Sequence, residues 1–220
     1  MNTTVHYLLK FGEKSHIQNL YENGEIYMNT LQTFAELDKK EVGDKFERTV
    51  EIKNFGESNL KLTSVATGET YNFQLQTAQY RKDFLGDLGN IYSTYSLSDR
   101  LLNRKKLHRV DKRMISFGTN CLLIHDVPKF FELIETELKK LNLTYFHNLV
   151  QYKNYKKNSH QITYFQKSHL YSYQHEHRFV VRNQTSLPLI LNIGPLKEIA
   201  DIYNTNDVVQ KMTLDIDYGT

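Results

Sequence analysis

The sequence predicts a mixed α+β fold, a mainly antiparallel sheet with flanking helices, formed as one domain over residues 1–220. Three observations predict it. Residues 48–77 hold three period-two runs separated by turn chemistry, the mark of antiparallel strands. Residues 127–141 hold the clearest helical periodicity in the chain. The opening reads strand, helix, strand, and no linker rich in Pro, Gly or Ser divides the rest of the chain.

Taken in order, residues 4–11 (TVHYLLKF) are β-branched, aromatic and aliphatic and stop at Gly12, which predicts a strand. Residues 13–23 place Ile17, Leu20 and Tyr21 at helical spacing, with Gly24 as the stop. Residues 25–30 alternate as a second strand, and residues 31–37 form a short helical patch before a polar loop at 38–45. TVEIKNF, LKLTSVA and TYNFQLQ then read as a meander, with Thr67-Gly68 as its better-supported hairpin. A polar stretch containing Gly86 and Gly89 comes next, and then a basic run at 100–113 that reads as helical surface. Residues 114–125 (MISFGTNCLLIH) predict a buried strand interrupted at Gly118. In the helix at 127–141, Pro128 stands in the first turn. Phe130, Phe131, Ile134, Leu138 and Leu141 share one face of it. Residues 145–152, 176–182, 187–193 and 212–216 are strand-like, and Ile193-Gly194-Pro195 predicts a short helix through Ile202.

Composition narrows the function classes. Hydrophobic content of 40% and charge of 24% are ordinary for a globular chain, so global disorder is excluded. A net charge of +3, with both signs intermixed, does not by itself demand a nucleic-acid partner. Cys121 is the single cysteine, which excludes an intrachain disulfide and a cysteine-only metal site. The first residues lack a basic flank and an apolar run, and no apolar stretch approaches the ~20 residues of a membrane span. The expectation is a soluble, cytoplasmic protein without membrane partners.

The densest cluster of functional side chains is Tyr173-Gln174-His175-Glu176-His177-Arg178-Phe179. If it is extended, Gln174, Glu176 and Arg178 line one side and His175, His177 and Phe179 the other. A carboxylate between an amide and a guanidinium is costly to bury idly and useful in a cleft. The bland alternative is a surface Glu176–Arg178 pair worth under ~1 kcal/mol. The histidines have no zinc-ligand spacing, so no metal is expected. Residues 144–182 carry six Lys or Arg against one acid, Glu176, interleaved with aromatic rings such as Tyr152, Tyr155 and Tyr164. Cations beside flat rings suit a ligand with both phosphate and base, whether a nucleotide or a single strand, while a solvated lysine-rich loop is the alternative at 155–160. Neither a glycine-rich phosphate loop nor a Walker lysine occurs.

The order of these pieces resembles a large bacterial domain family. That family opens with a tyrosine–lysine–aromatic strand (here residues 7–11), a helix ending in Gly24, and a short strand (25–30). A loop rich in Asn or Asp comes after them (42–47), and later an acidic-x-acidic-x-Arg stretch (173–178). The layout is similar to the ADP-ribosyltransferase superfamily, which implies a split antiparallel sheet and NAD as substrate. It implies a role as a transferase or nucleotide hydrolase, as in a toxin or defence effector that modifies nucleic acid or protein. Members carry a first-strand polar residue, small hydroxyls on a central strand, and Gln-x-Glu or Glu-x-Glu on a late strand. Gln174-His175-Glu176 fits the last. His6 or Lys10 stands at the first, and Ser116 or Thr119 at the second. The resemblance implies Glu176 on the ribose hydroxyls and Gln174 positioning the acceptor. Lys10 or Arg178 would meet the pyrophosphate, with Tyr7, Ser116 and Tyr173 helping to hold the nucleotide. A non-catalytic binder of nucleotide or nucleic acid is the alternative class, and a scaffold that keeps only the fold is a third.

Overall fold

A computed structural model describes residues 3–37, 44, 46–84, 89–102, 108–183 and 186–213. The chain enters through β1 (Val5–Gly12) and α1 (Lys14–Asn23), which buries Ile17 and Leu20. Gly24 ends α1 in the left-handed region at φ 68°, and a Cβ there would stand 2.0 Å from the Gly194 carbonyl oxygen, so two turns meet where only glycine fits. β2 (Glu25–Thr30) and α2 (Leu31–Glu36) come next, with the Thr30 hydroxyl accepting from the Thr33 N–H as the helix cap. β3 (Thr49–Phe55), β4 (Ser58–Thr63), β5 (Thr70–Leu75) and β6 (Ala78–Asp83) lead to β7 (Asn90–Ser98) and α3 (Asp99–Leu102). A 3₁₀ segment, Lys112–Phe117, precedes β8 (Asn120–Ile124) and α4 (Val127–Lys140). β9 (Thr144–Leu149), β10 (Gln151–Lys153), β11 (His160–Gln161) and β12 (Gln166–Ser168) stand before a second 3₁₀ segment, His169–Gln174. β13 (Glu176–Arg182), β14 (Leu189–Asn192), β15 (Ala200–Asn204) and α5 (Thr205–Gln210) complete the described chain.

The main sheet runs β14-β2-β7-β1-β8-β15, with β13 lying between β7 and β9, and all its pairings are antiparallel. β7 is its axis. One edge of β7 pairs with β13 from Asn90 to Tyr95. The other edge is shared: β2 takes Asn90 and Ile91, and β1 takes Tyr95 to Ser98. Residues 92–94 pair with neither, so β1 and β2 diverge from β7 and the sheet is split between them. α1 and α4 cover one face, burying Leu8, Tyr92, Leu122, Phe130 and Phe179 in one cluster. The other face buries Leu9, Tyr95, Leu97, Met114 and Tyr173. Among the described residues no helix is long and apolar enough to cross a membrane.

The mixed antiparallel class, the opening strand–helix–strand and the helix at 127–141 agree with the sequence reading. β1 and β13 are inner strands, each paired on both edges. Other expectations are corrected. The runs at 49–75 do not form a meander: β3 pairs with β6 and β4 with β5, so they make one long ribbon with the Thr67-Gly68 turn at its tip. Residues 112–117 coil as a 3₁₀ turn in place of the expected strand, and only 120–124 joins the sheet. No helix forms after Pro195, because Ala200–Asn204 pairs with β8 instead. Leu141 caps α4 and is exposed, whereas Phe130, Ile134 and Leu138 are buried. Most of the loop at 38–45, part of the basic run at 100–113 and most of the strand expected at 212–216 lie outside the described residues.

Candidate functional site in the split of the sheet

A cleft of about 730 Å³ opens where β1 and β2 part. β7 supplies its back wall through residues 91–95, and β1 and the start of α1 form one flank. Ser93 stands at the apex, half-buried in a strand whose other residues are buried. Lys10 reaches from β1 to this point and donates to the Ser93 carbonyl oxygen at 2.8 Å, with its ammonium 4.2 Å from the centre of the Tyr92 ring. The Tyr92 hydroxyl is buried and finds no hydrogen-bond partner among the described residues.

The second wall is ionic. Arg178 donates through Nε to Glu176 Oε2 at 2.7 Å and spans both oxygens of Glu47, at 2.6 and 3.0 Å. It also donates to the Tyr164 carbonyl oxygen at 3.0 Å. Lys167 donates to the other Glu176 oxygen at 2.8 Å and to Gln174 Oε1 at 2.9 Å. Side-chain exposures are 2% for Arg178, 5% for Lys167, 7% for Glu47 and 8% for Glu176, so water does little to solvate these charges and they must satisfy one another. Two carboxylates face two cations, and the forked guanidinium fits the bidentate geometry.

Local structure explains how the side chains converge. The 3₁₀ segment ends at His175 in the left-handed region, φ 40°. Ser96 holds that turn, its N–H and hydroxyl both donating to the His175 carbonyl oxygen at 2.8 and 2.6 Å. The Glu176 N–H donates to the Tyr152 hydroxyl at 2.9 Å, fixing the start of β13. Gln174 is therefore not part of the strand. It meets Glu176 through their shared donor, Lys167, and not by two-residue alternation.

Burial pushes the Glu176 carboxyl upward, but Arg178 and then Lys167 outweigh it and hold the group well below the usual carboxylate range. Asp44 is pushed up to about 6 by burial and by the charge of Glu47. Lys10 is lowered to about 8 by burial, with Glu176 opposing the shift. Glu176 is thus a fixed anion and Lys10 a cation that is costly to keep, facing the same cleft.

The sequence-derived candidates divide. Lys10, Ser116, Gln174, Glu176 and Arg178 all line the cleft. Tyr7 is more than a third exposed and Tyr173 is buried in the core, and neither lines it. The Tyr173 ring lies 3.6 Å beneath the Arg113 guanidinium, and its hydroxyl accepts from Gln174 Nε2 at 3.2 Å, which makes it a support for Gln174. Ser116 spends its hydroxyl on the Arg113 carbonyl oxygen at 2.7 Å. Glu47, Ser93 and Thr94 belong to the site although the sequence reading assigns them no part in it. Lys167 enters that reading only as part of a basic stretch. Among the described residues no group of three or more His, Cys, Asp or Glu is arranged to hold a metal. His177 instead stacks on Phe131 at 4.6 Å and hydrogen-bonds His147 at 3.1 Å on the far face of β13.

Compared with protein-family models, curated proteins and solved structures, the chain matches none.

Proposed function

We propose that this chain is an ADP-ribosyltransferase-like domain that takes NAD or a related nucleotide into the split of its sheet. The observation that carries the reading is the position of Glu176, an ionised carboxylate in the cleft wall, in a cleft that also presents Lys10 and Ser93 where β1 and β2 part. Ser93 and Thr94 supply small hydroxyl residues on the central strand, the role the resemblance assigns to Ser116 or Thr119. Among the described residues Lys10 is bonded to a backbone carbonyl and not to a carboxylate, so it suits the pyrophosphate better than Arg178, which is committed to Glu47 and Glu176.

Breaking the ribose–nicotinamide bond sends the bonding pair out with nicotinamide and leaves positive charge on the sugar ring. A carboxylate fixed beside that ring stabilises the developing charge without reorganising. Attack by water or by an acceptor hydroxyl or amine closes the reaction, and the nucleophile gives up its proton. The acceptor class is nucleic acid or protein, as a toxin or defence effector would require.

A second reading, a non-catalytic nucleotide or nucleic-acid binder, is favoured by one observation. Both Glu176 oxygens are already taken, by Lys167 and Arg178. One experiment separates the readings: equilibrium binding of NAD and ADP-ribose to the wild type, then assay of nicotinamide release with nucleic-acid and protein acceptors. Binding with release is expected. Binding without release under every acceptor condition selects the second reading, and absence of both overturns the proposal.

A further inference from the structure

Backbone groups of an antiparallel strand point to alternate edges, and on β7 this rule singles out one residue at the split. The Ser96 N–H donates to the His175 carbonyl oxygen just before β13, so Thr94 and Tyr92 face β13 as well. Ile91, Ser93 and Tyr95 therefore face the other edge. There Asn29 of β2 meets Ile91 and Leu9 of β1 meets Tyr95, but Ser93 between them has no ladder partner among the described residues. Its carbonyl oxygen accepts from Lys10 Nζ instead, and its N–H faces the same split.

The polar groups around this point are unevenly used. Lys10 carries three N–H donors and spends one on that carbonyl, with the Tyr92 ring 4.2 Å from its ammonium and no carboxylate partner among the described residues. Among the same residues the Ser93 hydroxyl has no partner, and the buried Tyr92 hydroxyl has none. The acceptors are in the opposite state. Both oxygens of Glu47 and both of Glu176 are taken by Arg178 and Lys167, and Gln174 Oε1 is taken by Lys167. Two carboxylates are thus matched by two cations, which leaves Lys10 without a carboxylate at bonding distance. Glu13 and Glu25 line the cleft as well, but neither pairs with it among the described residues. Surplus donors beside such a lysine call for an anion rich in acceptor oxygens.

We propose that the gap in the sheet is a phosphoryl site. One phosphate oxygen takes the Ser93 N–H in place of the absent strand, and Lys10 and the Ser93 hydroxyl bind its neighbours. The inference rests on the nucleotide reading for its ligand, the diphosphate of NAD, and adds the backbone and hydroxyl donors that hold it. A metal cation or a donor-rich ligand would leave every one of these donors unpaired. A lone carboxylate offers them only two oxygens, and a diphosphate offers more.

The test is NMR on the full chain labelled with nitrogen-15, titrated in turn with inorganic pyrophosphate, ADP, NAD, adenosine and acetate. Pyrophosphate, ADP and NAD are expected to shift the Ser93 amide to saturation, while adenosine and acetate leave it in place. Lys10→Met is expected to weaken pyrophosphate binding by about tenfold or more, and Ser93→Ala by about threefold. Pyrophosphate or ADP that binds with the Ser93 amide unmoved, or unchanged affinity in Lys10→Met, overturns the proposal. So does acetate that binds as tightly as pyrophosphate, or no binding of pyrophosphate and ADP. The nucleotide reading fails separately. Pyrophosphate that moves Ser93 while NAD does not bind supports the phosphoryl site and removes that reading. NAD that binds without moving Ser93 keeps the reading and overturns the site.

Discussion

β13 presents two buried faces built from opposite chemistry. Glu176 and Arg178 leave one side into an ionic cluster, while His177 and Phe179 leave the other into a stack with Phe131 and His147. Both sides exclude water, yet they are held by different means. The aromatic side gains from area removed from water and from ring packing, which any well-shaped apolar set supplies. The ionic side gains little over an apolar equivalent, because desolvation offsets most of the attraction. The ionic side is therefore the less tolerant of truncation, because removing one partner strands another buried charge.

The comparison breaks most visibly if Arg178 is removed. Arg178→Met leaves the buried carboxylates Glu47 and Glu176 without their shared partner, and roughly 3–5 kcal/mol of unfolding free energy should be lost in urea titration. A loss under about 1 kcal/mol would mean that the cluster is hydrated and that the two faces are not alike in burial.

On the aromatic face Phe131→Ala should cost about 3 kcal/mol, the lower end for such a truncation, because Phe131 is half-buried and not in the deepest layer. The cavity opens beside His177, so the same variant should raise the imidazole pKa, which NMR titration reads directly.

The smallest effect sharpens the comparison through pH. His177 is held down to about 3 by burial and then by the neighbouring His147. As pH falls below the unfolded value near 6.5, the unfolded state takes the proton first, so stability falls between pH 6.5 and 3. This contribution amounts to about 2 kcal/mol from pH 6.5 to 5, and His177→Phe should remove it. Glu176, whose folded pKa is depressed, loses its stabilisation only under more acidic conditions, so the two faces separate along the pH axis. Identical pH profiles for wild type and His177→Phe would contradict the assignment.

The same contrast explains how much of the fold and the site is legible in the sequence. β13 can be read because it holds the aromatic and β-branched run Phe179-Val180-Val181, and α4 because its apolar positions recur at helical spacing. Glu176 and Arg178 are legible as a pair because they are two residues apart. Glu47 is not, since it meets Arg178 across 131 positions of sequence, and no local pattern records such a contact. β7 escapes the sequence reading although it is the axis of the sheet. Its buried positions include Thr94, Ser96 and Ser98 where a strand pattern asks for apolar residues, and Ser96, for one, is satisfied across 79 positions of sequence by the His175 carbonyl oxygen. The helix expected after Pro195 fails for the opposite reason. A favourable local start is overridden by the free edge of β8, which takes Ala200–Asn204 as a strand.

The central claim is that Glu176 serves a reaction and not merely the fold, and one paired measurement tests it. Glu176→Gln keeps the shape of the side chain and an oxygen for one of its donors, but removes the charge. Wild type and variant are compared for NAD affinity and for nicotinamide release in the presence of the acceptor that supports turnover. The account predicts affinity within about threefold of wild type and release lower by about 10²–10³, since the lost interaction is made mainly in the transition state. A folded variant that binds NAD and releases nicotinamide as fast as wild type would contradict it.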